Sequence, residues 1–281
     1  TTDRGRHWTP ISPDLTRNLK ERQGLTGGVT LDVTGAETFD TILAVAPSPV
    51  AAKQIWVSTD DGVVQLTRDG GAHWANVSIP GVDADGRIPN IEPSYRAAGT
   101  LYAVVDRHYV GDRAPYVYVT RDFGKTWRAI TSGLPQAEVH VVREDPSNAR
   151  VLYAGTGKGV WWSADSGASW EAFPAPLPRV EVRDLAVQPV SGDLIAATHG
   201  RGIYVFDDLT ALRERAFVRR PSPCHCPSDA APQTPLPPPE VRLVPPRDAQ
   251  PLQRYTPTVN ERGSDDAPPP TLSIDPAVED R

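Results

Sequence analysis

Residues 120–127 read Thr120-Arg121-Asp122-Phe123-Gly124-Lys125-Thr126-Trp127, and their skeleton, [Ser/Thr]-x-Asp-x-Gly-x-x-Trp, decides the fold. The skeleton recurs as Thr1-x-Asp3-x-Gly5-x-x-Trp8, Thr67-x-Asp69-x-Gly71-x-x-Trp74 and Ser163-x-Asp165-x-Gly167-x-x-Trp170. At average residue usage a match is expected at about one start position in 10^5, so four copies in 281 residues are not chance. Short β-rich runs flank the copies: Tyr116-Val117-Tyr118-Val119 before the third, Arg128-Ala129-Ile130 after it. Strand, tight polar turn and strand make a hairpin. The Ser/Thr and Asp side chains accept hydrogen bonds from turn amides. Gly supplies a positive φ without steric cost, and the Trp is expected to pack on its own small sheet. A catalytic pair would not need repetition in every unit, so these Asp residues read as turn staples.

Between the boxes lies a second repeat. Ala46-Pro47-Ser48, Glu92-Pro93-Ser94, Asp145-Pro146-Ser147 and Gln188-Pro189-Val190 each end one apolar run, and another run follows shortly after. Each unit is therefore strand a, Pro turn, strand b, loop, strand c, Asp box, strand d. Four antiparallel strands repeating every 43 to 66 residues specify the blades of an all-β propeller. Blades are expected at about 41–79, 88–131 and 138–175, with three strands of another at 181–212. A strand d is expected at about 7–12 and a helical turn near 209–215. The domain reading is a partial propeller over 1–215 and a Pro-rich tail over 216–281, in which residues 221–281 hold 16 of the 30 prolines.

These motifs resemble the Asp-box (BNR) repeats of sialidases, xyloglucanases, sortilin-type receptors and a photosystem assembly factor. More narrowly, Trp56–Gly62, Val104–His108, Val141–Asp145, Tyr153–Gly155 and Ala197–Asp208 resemble large bacterial BNR-repeat proteins labelled sortilin-like or glycosyl hydrolase. The resemblance covers about residues 1–215. It implies further blades upstream, so the chain reads as a fragment; the alternative is a four-bladed ring closed by the first strand d. It also implies a secreted, periplasmic or envelope-associated setting.

Net charge is −6 without a basic cluster, which argues against nucleic acid. No stretch approaches 18 apolar residues, so no membrane span is expected. No nucleotide or cofactor signature occurs. Cys224-His225-Cys226 offers three soft ligands, but a closed zinc site takes four and there is no second Cys/His cluster; it reads as unligated linker.

In such a blade the b–c and d–a loops share one face, opposite the Asp boxes. The candidate ligand face is Asp60 and Asp61, then Arg107, His108, Asp112 and Arg113, then His199 and Arg201, beside a long polar loop at about 13–40. The same residues also suit plain solvated rim turns. Two functions follow. One is a scaffold binding a peptide, protein or carbohydrate, as sortilin-like propellers do. The other is a glycoside hydrolase, which requires two carboxylates across a cleft; Asp60, Asp61 and Asp112 are the acids on that face. Arg87-Ile88-Pro89 follows an Asp box rather than preceding the first, and no arginine triad of the sialidase kind can be assigned.

Overall fold

The computed structural model describes residues 1, 3–24 and 38–218. It contains fifteen strands among these residues: β1 (Ile42–Pro47), β2 (Ile55–Thr59), β3 (Val64–Thr67), β4 (Ala75–Asn76), β5 (Arg87–Pro93), β6 (Leu101–Asp106), β7 (Val117–Thr120), β8 (Arg128–Ala129), β9 (Val139–Glu144), β10 (Leu152–Thr156), β11 (Gly159–Ser163), β12 (Glu171–Ala172), β13 (Val182–Val187), β14 (Leu194–Thr198) and β15 (Ile203–Phe206). Helix α1 (Thr210–Val218) follows, spanning the position where the sequence suggested a domain limit. The strands form three four-stranded antiparallel sheets and a three-stranded one, each ordered along the chain. The sheets pack neighbour on neighbour through their first strands, β1 on β5, β5 on β9 and β9 on β13. This is a β-propeller. The Cys224–Cys226 motif and the Pro-rich tail lie outside the described residues.

Alternation along the strands builds the core. In β6, Leu101, Ala103 and Val105 face the first sheet, where they meet Trp56, Val64 and Leu66. Tyr102 and Val104 face the third sheet, against Val142, Leu152 and Trp170. Both faces of β6 are covered, and all six of its residues are buried. The third interface joins Tyr153, Trp162, Leu185 and Leu194, with Leu209 and Ala216 of the α1 region closing over it. On the far faces of the first and fourth sheets, Val45, Ile203 and Val205 are exposed.

Helix α1 is held by charge as well as by apolar packing. Arg213 Nε reaches Asp145 Oδ2 at 2.9 Å, and the fully buried Asp145 also accepts from Tyr153 Oη at 2.9 Å.

The Asp boxes are turn staples, with two corrections. In the third copy, Thr120 Oγ1 donates to Asp122 Oδ1 (2.8 Å) and accepts from Gly124 N (2.9 Å). Asp122 also accepts from the amide and hydroxyl of Thr126, at 2.9 and 2.6 Å. These bonds from Thr126 hold the Asp122 carboxyl down at about 2. The residue before Gly is left-handed too: Arg4, Phe123 and Ser166 have φ of 60°, 62° and 58°.

The first correction concerns the tryptophans, which pack across to the preceding sheet rather than on their own. Trp127 Nε1 donates to the Val77 carbonyl (3.0 Å) and Trp170 Nε1 to that of Ile130 (2.7 Å). The second concerns residues 7–12, which form no strand among the described residues. Trp8 is exposed, and the Ile11 carbonyl accepts from Trp74 Nε1 at 2.9 Å. Ile11 thus stands to the first sheet as Val77 stands to the second, rather than completing the fourth sheet as a closing clasp.

Candidate functional site

All four first strands bulge near their starts. Register slips by one residue between Ile42 and Ala44, between Arg87 and Asn90, between Val139 and Val141 (opposite Gly155/Thr156), and between Val182 and Asp184. A bulge leaves one residue unpaired and re-aims its neighbours. Here the extra residue is Leu43, one of Ile88 and Pro89, His140 and Arg183. Three of these bulges, in β5, β9 and β13, converge on an open cleft of about 440 Å³. Its walls include Arg87, His108, Tyr109, His140, Arg143 and Arg183.

Arg87 lies with its guanidinium 4.5 Å over the Tyr109 ring, and its Nε is buried without a hydrogen-bond partner. His140 is buried. Desolvation and the nearby Arg183 charge hold its imidazole pKa below the usual value. Arg143 spans two sheets, reaching Glu92 Oε2 at 3.3 Å and Asp184 Oδ1 at 2.9 Å. Behind it, burial pushes the Glu92 carboxyl up to about 7, with Arg143 opposing. Asp106, also in the wall, pairs with His108 Nδ1 at 2.7 Å. At the mouth, Glu181 Oε1 lies 2.9 Å from His140 Nε2 and from Arg183 Nη2, while Oε2 lies 3.1 Å from His199 Nδ1. Burial raises the Glu181 pKa, but the His199 hydrogen bond and the Arg183 charge outweigh it and leave a net lowering.

Of the eight residues expected from sequence, His108 lines this cleft. Asp60 and Asp61 are buried. Asp60 accepts from Thr41 N at 2.7 Å, and Asp61 from Arg17 N and Thr59 Oγ1. Desolvation raises both of their pKa values. Arg17 belongs to the long polar loop, of which residues 25–37 lie outside the described set, and its Nε bonds the Asp61 carbonyl at 2.7 Å. Arg107 joins Asp83 (2.6 Å) to Asp112 (3.7 Å), and Arg113 reaches Glu138 at 3.3 Å. His199 borders the cleft mouth through Glu181, whereas Arg201 lies exposed in the turn closed by Thr198 N and the Gly202 carbonyl.

Sequence reading missed Arg87, His140, Arg143 and Arg183. The available signal was polar residues interrupting the apolar first strands. Among the described residues no helix is long and apolar enough to cross a membrane.

Residues 115–212 match the family model described as Sortilin-Vps10, sortilin, neurotensin receptor 3. The oligoxyloglucan-reducing end-specific xyloglucanase of Emericella nidulans is 37% identical over 89 residues, 31% of this chain and 10% of that protein. Among solved structures, an ancestral GH74 enzyme has 23% identity and a TM-score of 0.48, covering 63% of this chain and 25% of its own. YCF48 bound to D1 peptide has 21% identity and a TM-score of 0.46, covering 59% and 51%. The chain therefore spans a tenth of the length of that curated relative and a quarter to a half of these solved chains. The repeated boxes, the sheets they join and the matched stretch make this chain an Asp-box β-propeller protein, sortilin-like over residues 115–212.

Proposed function

We propose that this propeller is a binding scaffold whose axial cleft takes the carboxylate of a peptide or protein partner, without chemistry. The observation that carries the reading is Arg87. Its guanidinium is stacked on Tyr109 and keeps a buried Nε without a hydrogen-bond partner. Arginine's planar fork matches a carboxylate with two parallel bonds. Stacking fixes the side chain in advance, so less rotamer freedom is lost on binding. Tyr109, itself half exposed, offers an apolar ledge beside that anchor.

Peptides ending in a free carboxylate or in an amide, titrated against the full chain, test this reading. The free acid is expected to bind at least about tenfold tighter, and Arg87→Ala to remove that preference. Equal binding of acid and amide would reject it.

The second reading is glycoside hydrolysis, favoured by the 89-residue likeness to a xyloglucanase. Asp60 and Asp61 are buried among their own partners, and Asp112 bonds Tyr116 Oη at 2.7 Å. Xyloglucan oligosaccharides incubated with the chain should stay intact under the binding reading. Cleavage lost in Asp106→Asn or Asp184→Asn, both in the cleft wall, would establish the enzyme instead.

A further inference from the structure

We propose that Glu138, His140 and Glu181 form a binding site for a divalent transition-metal cation of the Zn2+ class, with His199 orienting Glu181 from outside. The ligand atoms of Glu138, His140 and Glu181 all lie within 4.8 Å of one another, close enough to surround one ion. His199 Nδ1 lies 3.1 Å from the second oxygen of Glu181. One imidazole and two carboxylates suit a Zn2+ site with three protein ligands and an open fourth position. The inference is independent of the peptide reading.

An independent observation points to a ligand. The His140 side chain is only 6% exposed, and its Nε2 lies 2.9 Å from Glu181 Oε1 without making a hydrogen bond. A buried ring nitrogen left in that state costs free energy unless something else occupies its lone pair. The bulge in β9 explains the placement, since His140 is the residue left without a register partner. Glu138 approaches over a glycine: a Cβ at Gly157 would sit 3.2 Å from its Oε1 and 3.3 Å from its Oε2.

Arg113 and Arg183 now pair with the two carboxylates, at 3.3 and 2.9 Å. Their side chains are 69% and 50% exposed, so both can swing into water when a cation arrives. With the arginine half of each pair solvated, such a pair contributes little. A metal ion contacting three ligands outweighs two such pairs.

The test is calorimetric titration of Zn2+ into the chelator-treated full chain, with Co2+ as a visible probe of coordination. One equivalent is expected to bind with Kd below about 10 μM, and His140→Ala or Glu181→Gln to weaken it by at least about tenfold. His73→Ala, at an exposed imidazole paired with Asp69, should leave binding unchanged and so exclude general surface uptake. Should His140→Ala fail to fold, Glu181→Gln decides alone, because its side chain is 24% exposed and removing its charge leaves the core intact. No saturable uptake, or uptake equal in wild type and Glu181→Gln, overturns the site.

Discussion

Trp127 donates its indole N–H to the carbonyl of Val77, 50 residues earlier and in the neighbouring sheet. Trp74 and Ile11 repeat this relationship, as do Trp170 and Ile130. The box is therefore a clamp between blades as well as a turn within one. Its cost on deletion should follow burial. Trp170→Ala, at a buried ring, is expected to lose about 3–5 kcal/mol, and Trp8→Ala, at an exposed one, less than about 0.5 kcal/mol. Urea unfolding of the two variants measures both. Equal losses would contradict the clamp.

Gly124 combines a φ of +80° with tight packing, since an added Cβ would meet Val77 Cβ at 2.5 Å. Gly124→Ala should therefore destabilise by more than about 1 kcal/mol. Gly111, also left-handed at +78°, has open space around it. Gly111→Ala should lose less, the backbone strain alone, and thermal unfolding of the pair separates strain from clash.

Two carboxyl groups give stability opposite slopes with pH. Asp122 is held down at about 2, so its contribution is complete above its ordinary 3.8 and fades as pH falls towards 2. Glu92 is raised from 4.5 to about 7. The folded chain then holds an extra proton between those values, and stability declines as pH rises through them. Glu92→Gln should flatten the curve between pH 4.5 and about 7 and raise stability above it by up to about 3 kcal/mol. Asp122→Asn should alter only the acid limb. Urea midpoints collected from pH 2 to 8 check both.

Arg213 is the partner that α1 brings to the buried Asp145. Removing it leaves that carboxylate facing Tyr153 and the amides of Ser147 and Asn148, without a cation. Arg213→Leu is therefore expected to cost about 3–5 kcal/mol. Asp145→Asn in the same background should recover part of the loss, since the uncompensated charge is gone. A double-mutant cycle in denaturant measures the coupling.

The Ser/Thr and Asp side chains of each box accept from amides two to four residues onward, so the blade count and strand order could be read directly from residue types. Gly70, Phe123 and Ser166 nevertheless donate to the more distant Lys53, Gly99 and Arg150. The d strands are shorter than their β-rich flanks suggested, two residues each, with one further backbone bond beyond them from Val77, Ile130 and Phe173 to the carbonyls of Val64, Val117 and Val160. The partner of each box tryptophan was not legible, because the carbonyl it meets belongs to a different repeat.

Asp60 and Asp61 show the limit for the ligand face. Loop position and acidity marked them as exposed ligand candidates, yet Thr41 and Arg17, 19 and 44 residues away, bring backbone amides to them and cover them.

His140 and Arg183 show the converse. Both sit in runs that alternate like any core strand, and side-chain period alone would place them by parity. A single extra residue in β9 and in β13 breaks that parity near the mouth of the cleft. Residue types and their spacing were sufficient for the blades, because hairpin and turn energetics are short-ranged. Which side chains meet in the cleft was left to the bulges and to sheet-on-sheet packing, since those depend on contacts between segments forty to fifty residues apart.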